Sequence, residues 1–143
     1  IGWIRNVYPT RKTAEDGVKR DDLFVLEDEG IIVAAAVINQ IQVEEYQYAT
    51  WKHSAGDAEV MVLHALVVDP YMKGRGYGKA FVAFYENYAK QYHCVALRMD
   101  TNARNAAARK LYHKLGYEEI GIVSCTFNGI PNVQLVCLEK YIG

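Results

Sequence analysis

The run Ile-Ile-Val-Ala-Ala-Ala-Val-Ile at residues 31–38 is apolar at odd and even positions alike. Both of its faces must therefore be covered, which places it as a central strand of a sheet. A second β-rich run at 23–27 joins it (31–41) through the turn-forming Asp28-Glu29-Gly30, and the pair predicts a hairpin. Further strands are predicted at 59–68 and 95–101. A helix follows the first of these at 76–92, where Phe81, Phe84, Tyr85, Tyr88 and Tyr92 recur every three or four residues as one core stripe facing the sheet. A second helix spans 105–115 and is closed by Gly116 at its C′ position. Residues 118–127 and 133–141 form a closing hairpin around Asn128-Gly129-Ile130-Pro131. Ahead of the first hairpin, helix-compatible spacing over 3–19 is broken by Pro9, which predicts two short helices, with Thr13 as N-cap of the second. The order strand, helix, strand, helix, hairpin implies an α/β (α+β) fold with a mixed sheet and helices on both faces.

Composition narrows this picture. At 143 residues the chain reads as a single domain, residues 1–143, large enough for a real core. Sixteen Lys+Arg against 17 Asp+Glu give a formal charge of −1, so no global field draws it to nucleic acid or to an anionic membrane. Cys94, Cys125 and Cys137 are odd in number and widely spaced, and they read as reduced thiols of a cytoplasmic protein. No apolar run is long enough to span a bilayer, and no charged-then-apolar leader precedes the first strand. The sequence starts at Ile1 without Met, so its natural N-terminus can lie upstream. His53, His64, His93 and His113 have no Cys or His at ligand spacing, so no metal site is expected.

The strongest local signal lies between the strand at 59–68 and the helix at 76–92. It reads Val67-Val-Asp-Pro-Tyr-Met-Lys73-Gly-Arg-Gly-Tyr77-Gly-Lys79. Gly74, Gly76 and Gly78 allow positive φ and bring successive N–H groups to one side at a helix start, while Arg75 and Lys79 add charge. That is a cradle for a phosphate-bearing ligand. A Walker loop would need Gly at 73 and Ser or Thr at 80, where Lys73 and Ala80 stand, and a dinucleotide fingerprint would need Gly at Lys79. A plain glycine-rich turn before a surface helix is the remaining alternative.

Lys73 to Gly78 resembles the acetyl-coenzyme A motif Gln/Arg-x-x-Gly-x-Gly/Ala of the GNAT acetyltransferase superfamily, with Lys73 in place of Gln or Arg. Asn105-Ala-Ala-Ala-Arg-Lys-Leu-Tyr112-His-Lys-Leu-Gly116-Tyr117 is similar to its other signature, Asn-x-x-Ala-x-x-Leu-Tyr-x-x-x-Gly-Phe, with Tyr117 replacing Phe. The resemblance implies the GNAT fold, with a mostly antiparallel sheet whose strands 62–68 and 95–101 splay apart. It implies acetyl-CoA as acetyl donor, contacted by Leu66, Val67 and Val68 through the backbone, by Lys73, Gly74, Arg75, Gly76, Tyr77, Gly78 and Lys79 around the phosphates, and by Asn105. It further implies direct transfer to a primary amine of a small molecule or peptide in a ternary complex, with no acyl-enzyme.

Asn105 and Tyr112 are two helical turns apart and share a face. Asn105 serves equally as a helix cap, and Tyr112 is either a proton donor to the departing thiolate or a core aromatic. For the base, His64 ranks first. It lies two residues before Leu66, on the same face if the strand alternates regularly, and an imidazole suits proton removal near neutrality. The alternative is a buried histidine bonded to a backbone carbonyl. Asp100, which aligns with a Glu of the ribosomal-protein alanine N-acetyltransferase group, and Glu59 rank behind, and a water chain could replace all three. Residues 43–57, polar and aromatic, read as a loop or strand edge over the acceptor, or as an ordinary solvated loop. Glu44, Glu45, Asp57 and Glu59 would suit a cationic acceptor if they form a rim. An edge strand in the closing hairpin can pair across a homodimer. A reading from another class is a non-catalytic acetyl-CoA sensor that keeps the coenzyme site without turnover.

Overall fold

The computed structural model describes residues 11–127 and 129–143, so the helix expected ahead of Pro9 and the Asn128 corner lie outside the described residues. Helix α1 is Arg11–Arg20. Strands β1 (Leu23–Asp28) and β2 (Ile31–Asn39) follow, closed by Glu29 and Gly30, whose φ values of 52° and 79° match the two positive-φ positions of a tight hairpin turn. Then come β3 (Val60–Val68), α2 (Tyr77–Gln91), β4 (Ala96–Asn102), α3 (Ala106–Lys114), β5 (Glu118–Phe127) and β6 (Ile130–Tyr141). Strand β6 begins three residues earlier than its sequence suggests. Pro131 is tolerated there because β4 joins β6 only from Leu135 onward.

The six strands form one sheet in the order β1-β2-β3-β4-β6-β5. All neighbours are antiparallel except β3 and β4, which run parallel because α2 carries the chain across between them. Strand β2 lies between β1 and β3 with Val33, Ala34, Ala36, Val37 and Ile38 buried, as its double-sided apolar pattern requires.

Alternation along the strands divides the core in two. On one face Ile38, Met61, Leu63, Leu97 and Met99 pack with Phe81, Val82, Tyr85 and Ala89 of α2 and Tyr112 of α3. Burying each large side chain of this set contributes about 1.5–3 kcal/mol. On the other face Val60, Val62 and Ala96 are covered by Tyr46 and Trp51. The aromatic stripe of α2 is therefore only partly core, a correction to the uniform stripe. Phe81 and Tyr85 are buried, but Phe84 and Tyr92 are exposed and join Phe24 and Tyr88 in a chain of ring contacts on the helix shoulder. Phe84 is rotated about 100° from Tyr85 around the helix axis, which carries it off the sheet.

Residues 43–57 are pinned to the sheet near Trp51 and His53, while Tyr48 stays exposed. Arg98 and Glu139, both nearly fully buried, pair at 3.0 Å. Arg98 also donates to Gln42 Oε1 and to the His53 carbonyl, and its guanidinium lies 4.5 Å from the Trp51 ring centre. Glu139 Oε1 accepts from the backbone N–H groups of Lys52 and His53. Gln42 and the loop residues Lys52 and His53 thus supply hydrogen bonds to both members of this buried ion pair.

Candidate functional site

The parallel pairing of β3 and β4 runs from Val60↔Ala96 to Leu63↔Met99 and stops. Beyond it His64–Val68 and Asp100–Asn102 diverge, leaving the β4-facing edge of β3 without a strand partner among the described residues. Local backbone geometry explains the fork. In the β2–β3 register Ala35 and Val37 face Val67 and His64, so β3 carries one extra residue, and Ala65 sits at φ 52°. Such a bulge adds twist and turns the strand away from its neighbour. At the closed end, Tyr85 Oη of α2 donates to the Met61 carbonyl of β3 at 2.6 Å and lies 3.3 Å from the Arg98 carbonyl of β4.

The bulge also overturns one step of the sequence argument. His64 and Leu66 do not share a face. Leu66 and Val68 pack toward α2 and α3, whereas Val62, in phase with His64, packs under Trp51 and Tyr46. One inserted residue reverses period-two alternation.

Leu66, Val67 and Val68 lead into a 3-10 turn, Pro70–Met72, capped by the Asp69 carboxylate, which accepts from Tyr71 N–H at 2.9 Å. Gly74 and Gly76 take φ of 79° and 78°, a conformation costly for residues with a Cβ, and the space beside each is open. Gly76 is the N-cap of α2. Lys73, Arg75 and Lys79 are exposed around this turn, so free N–H groups, a helix N-terminus and three cations converge there. Gly78 has a different task. A Cβ there would lie 3.1 Å from Leu111 Cδ2 and 4.0 Å from Val68 Cγ2, so its missing side chain lets the end of β3, α2 and α3 meet. Tyr77 turns its phenol back to the first hairpin, donating to Asp28 Oδ2 at 2.6 Å. Open β3 edge, glycine turn and cations fit an extended ligand carrying amides at one end and phosphates at the other.

Asn105 caps α3, its Oδ1 accepting from Ala108 N–H at 3.1 Å, which leaves its amide Nδ2 as a donor. Tyr112 is buried, edge-on to Tyr117. Burial first, and the Asp100 charge second, hold its phenol well above the ordinary range, so it remains protonated.

Asp100 is the first residue of β4 beyond the paired stretch, on the face opposite α2 and α3. Burial pushes its carboxyl up to about 6, opposed by the hydrogen bond that Tyr46 Oη donates to Oδ2 at 2.7 Å. The sequence reading takes in Tyr46 only as part of 43–57, without its pairing to Asp100. It lies 54 residues from Asp100, and no local pattern marks the pair. His64 faces the same side. Its Nε2 lies 2.8 Å from Asn39 Oδ1, while Asn39 Nδ2 donates to Asp22 Oδ2, so Nε2 must be the donor to Asn39. Burial lowers the imidazole to about 4, so it is neutral at physiological pH. Glu59 precedes β3 at the far end from the fork, roughly 16 Å along the strand from His64, and bonds to Gly56 N–H. Among the described residues no cluster of His, Cys, Asp and Glu could hold a metal ion. The three cysteines are free thiols, and among the described residues no helix is long and apolar enough to cross a membrane.

Residues 3–117 match the acetyltransferase (GNAT) family. A streptothricin acetyltransferase of Escherichia coli is 28% identical over 131 residues, 91% of this chain and 68% of that protein. Among solved structures, a GNAT-family acetyltransferase of Streptococcus agalactiae superposes with a TM-score of 0.76 at 21% identity, covering 94% of this chain and 73% of that one. An acetyltransferase of Salmonella typhimurium, solved with its cofactor acetyl-CoA, gives 0.65 at 16% identity over 85% of this chain and 64% of that one.

Proposed function

Since the chain belongs to the GNAT acetyltransferase family and is an acetyl-CoA-dependent N-acetyltransferase, we propose that Asp100 is its base and Tyr112 its acid, acting from opposite faces of the β3–β4 fork. One observation carries this assignment: burial leaves the two groups in complementary protonation states at neutral pH. Above about 6 the Asp100 carboxylate is ready to accept a proton, while the Tyr112 phenol keeps its own. His64, first choice from the sequence, ranks lower because its basicity near 4 is too weak to compete.

The glycine turn and the cations Lys73, Arg75 and Lys79 hold the coenzyme phosphates. The open edge at Leu66–Val68 and Asn105 Nδ2 hold its amides, and backbone N–H groups of that edge stabilise the thioester oxygen as charge develops on it. Acetyl-CoA supplies an acetyl thioester. The acceptor amine enters from the Tyr46 side, Asp100 takes its proton, a C–N bond replaces the C–S bond, and Tyr112 protonates the departing thiolate. Positioning of the two substrates contributes the larger share of the rate.

The acceptor side is lined by Tyr46 and Asp100, and the Glu45 charge acts on Asp100. This supports a cationic primary amine, small molecule or peptide N-terminus. The free thiols support action in the cytoplasm.

The test is thiol release from acetyl-CoA over a panel of amines, amino acids, polyamines and peptides, as a function of pH. The expected wild-type kcat/KM falls below pH of about 6 for the preferred acceptor. Asp100→Asn should lose at least about 100-fold together with that acidic limb, and Tyr112→Phe should lose on the order of 100-fold in kcat with unchanged coenzyme affinity. An Asp100→Asn enzyme retaining wild-type rate and pH profile would refute the assignment. Coenzyme binding without turnover across the panel would favour the sensor reading instead.

A further inference from the structure

Asp100 is bonded by a residue far from it in the chain. Tyr46 is the buried residue of a 3-10 helix, Glu44–Tyr48, that rests against β5. Only 2% of its surface is exposed, and its Oη donates to Asp100 Oδ2 at 2.7 Å. Burial first, and the Asp100 charge second, hold that phenol well above its ordinary range, so it keeps its proton and the bond has one direction. The bond engages Oδ2, and among the described residues none bonds to Oδ1. The phenol is itself fastened from behind. Trp51 Nε1 donates to the Tyr46 carbonyl at 2.9 Å, the two ring centres are 5.1 Å apart, and the Arg98 guanidinium lies 4.5 Å from the Trp51 ring centre. Arg98 and Asp100 are alternate residues of β4 and share a face. Contacts thus run from Arg98 through Trp51 and Tyr46 to Asp100, closing a circuit on one face of β4.

The other titratable groups that act with Asp100 are Glu45 on the same 3-10 helix, Cys137 opposite it on β6, Cys125 on β5 and Tyr112 on α3. Burial keeps both thiols and the Tyr112 phenol protonated, so Glu45 is the charged member of this set, and it pushes the Asp100 carboxyl the opposite way from Tyr46. On the reading of Asp100 as base, we propose that Tyr46 is a positioning residue for the reaction: it holds Asp100 Oδ2, leaves Oδ1 to take the proton of the acceptor amine, and is kept in place by Trp51 and Arg98. A hydrogen bond donated to a carboxylate favours the carboxylate over the acid, so Tyr46 offsets part of the cost of burying Asp100 and keeps the base available near neutrality. The segment 43–57 then governs the pH range of the reaction without itself exchanging a proton.

Two measurements on the full chain test this. The Asp100 carboxyl is titrated without substrates by carbon-13 NMR of aspartate-labelled protein, Asp100→Asn identifying its signal. In parallel, kcat/KM is followed against pH with the best acceptor of the amine panel. The variants are Tyr46→Phe, Trp51→Phe and Glu45→Gln, with circular dichroism melts to establish that each is folded. Tyr46→Phe is expected to raise the carboxyl midpoint and the acidic limb together by at least about one pH unit, a roughly tenfold loss at pH of about 6 that narrows as pH rises. Trp51→Phe, which keeps a ring but not the Nε1 donor, should move both the same way by less, and Glu45→Gln should move both down. Added to Asp100→Asn, Tyr46→Phe should cost no more than about twofold, because its effect passes through the carboxylate. An unmoved midpoint in Tyr46→Phe overturns the proposal, as does an equal loss at every pH, which is what a merely structural role would give. If Asp100→Asn loses rate and limb while Tyr46→Phe moves neither, the base stands and the role of Tyr46 alone fails. If the midpoint moves but Asp100→Asn keeps the wild-type rate and limb, the base reading fails and takes the positioning role with it. Should no amine turn over, the carboxyl midpoint still decides whether Tyr46 holds Asp100.

Discussion

Asp100 and His64 respond to the same cause in opposite directions. Burial penalises the charged form, which raises a carboxyl and lowers an imidazole. For Asp100 the folded state holds its proton up to about 6, whereas the unfolded chain releases it near 3.8. Stability is therefore lost as pH rises through that window, by on the order of 3 kcal/mol at most. For His64 the unfolded chain takes up a proton below about 6.5 that the folded state refuses until about 4, so stability is lost as pH falls through that window. Asp100→Asn should accordingly melt several degrees higher than wild type at pH 7.5 and nearly together with it near pH 4, while losing activity. A melt at pH 7.5 no higher than wild type would mean that Asp100 carries no such burden. A group held at a stability cost is expected where chemistry needs it. The residue types at this site were readable from the sequence, but their ranking was not, since it depends on which side chain loses its water.

Strand β3 shows how an element departs from its own pattern. Its apolar run predicts regular alternation, and the structure inserts one residue at Ala65, in the left-handed region. That single residue both opens the fork and sends Leu66 toward α2 and α3 while His64 stays on the opposite face. Ala65→Val should cost about 2 kcal/mol in denaturant unfolding, because a β-branched side chain is strained at positive φ, and Ala65→Gly should be neutral or stabilising. The reverse order of stabilities would show that the bulge is not held in this conformation. The glycine turn, by contrast, was legible residue by residue. Gly74 and Gly76 adopt the positive φ that their spacing suggests, because backbone sterics at a glycine are a local matter. Gly78 is needed for contact with Leu111, 33 positions away, which no local rule supplies.

At the scale of the molecule, the segment 43–57 lies against the sheet because Arg98 and Glu139 fasten it there. Their ion pair is buried, and Gln42, Lys52 and His53 supply further hydrogen bonds to it. Glu139→Gln would leave the Arg98 charge buried and uncompensated, with an expected loss of about 3–5 kcal/mol and faster proteolysis within 43–57. Replacing both, as in Arg98→Met with Glu139→Leu, should restore part of the stability while leaving the loop less ordered. If the single and double variants unfold at the same denaturant concentration, the pair is not acting as a clasp.

What the sequence by itself determined is the set of local decisions: which runs become strands and helices, the hairpin at Glu29-Gly30, the cap at Asn105, the glycine turn at 73–79 and the family to which both motifs point. Each rests on backbone sterics or on periodicity within one element, which neighbouring residues fully specify. Only the tertiary structure decided the phase of β3 beyond Ala65, the partnership of Tyr46 with Asp100, the burial that lowers the His64 imidazole and the clasp under residues 43–57. These turn on contacts between residues far apart in the chain and on the desolvation that those contacts impose, so they come into being only when the elements pack.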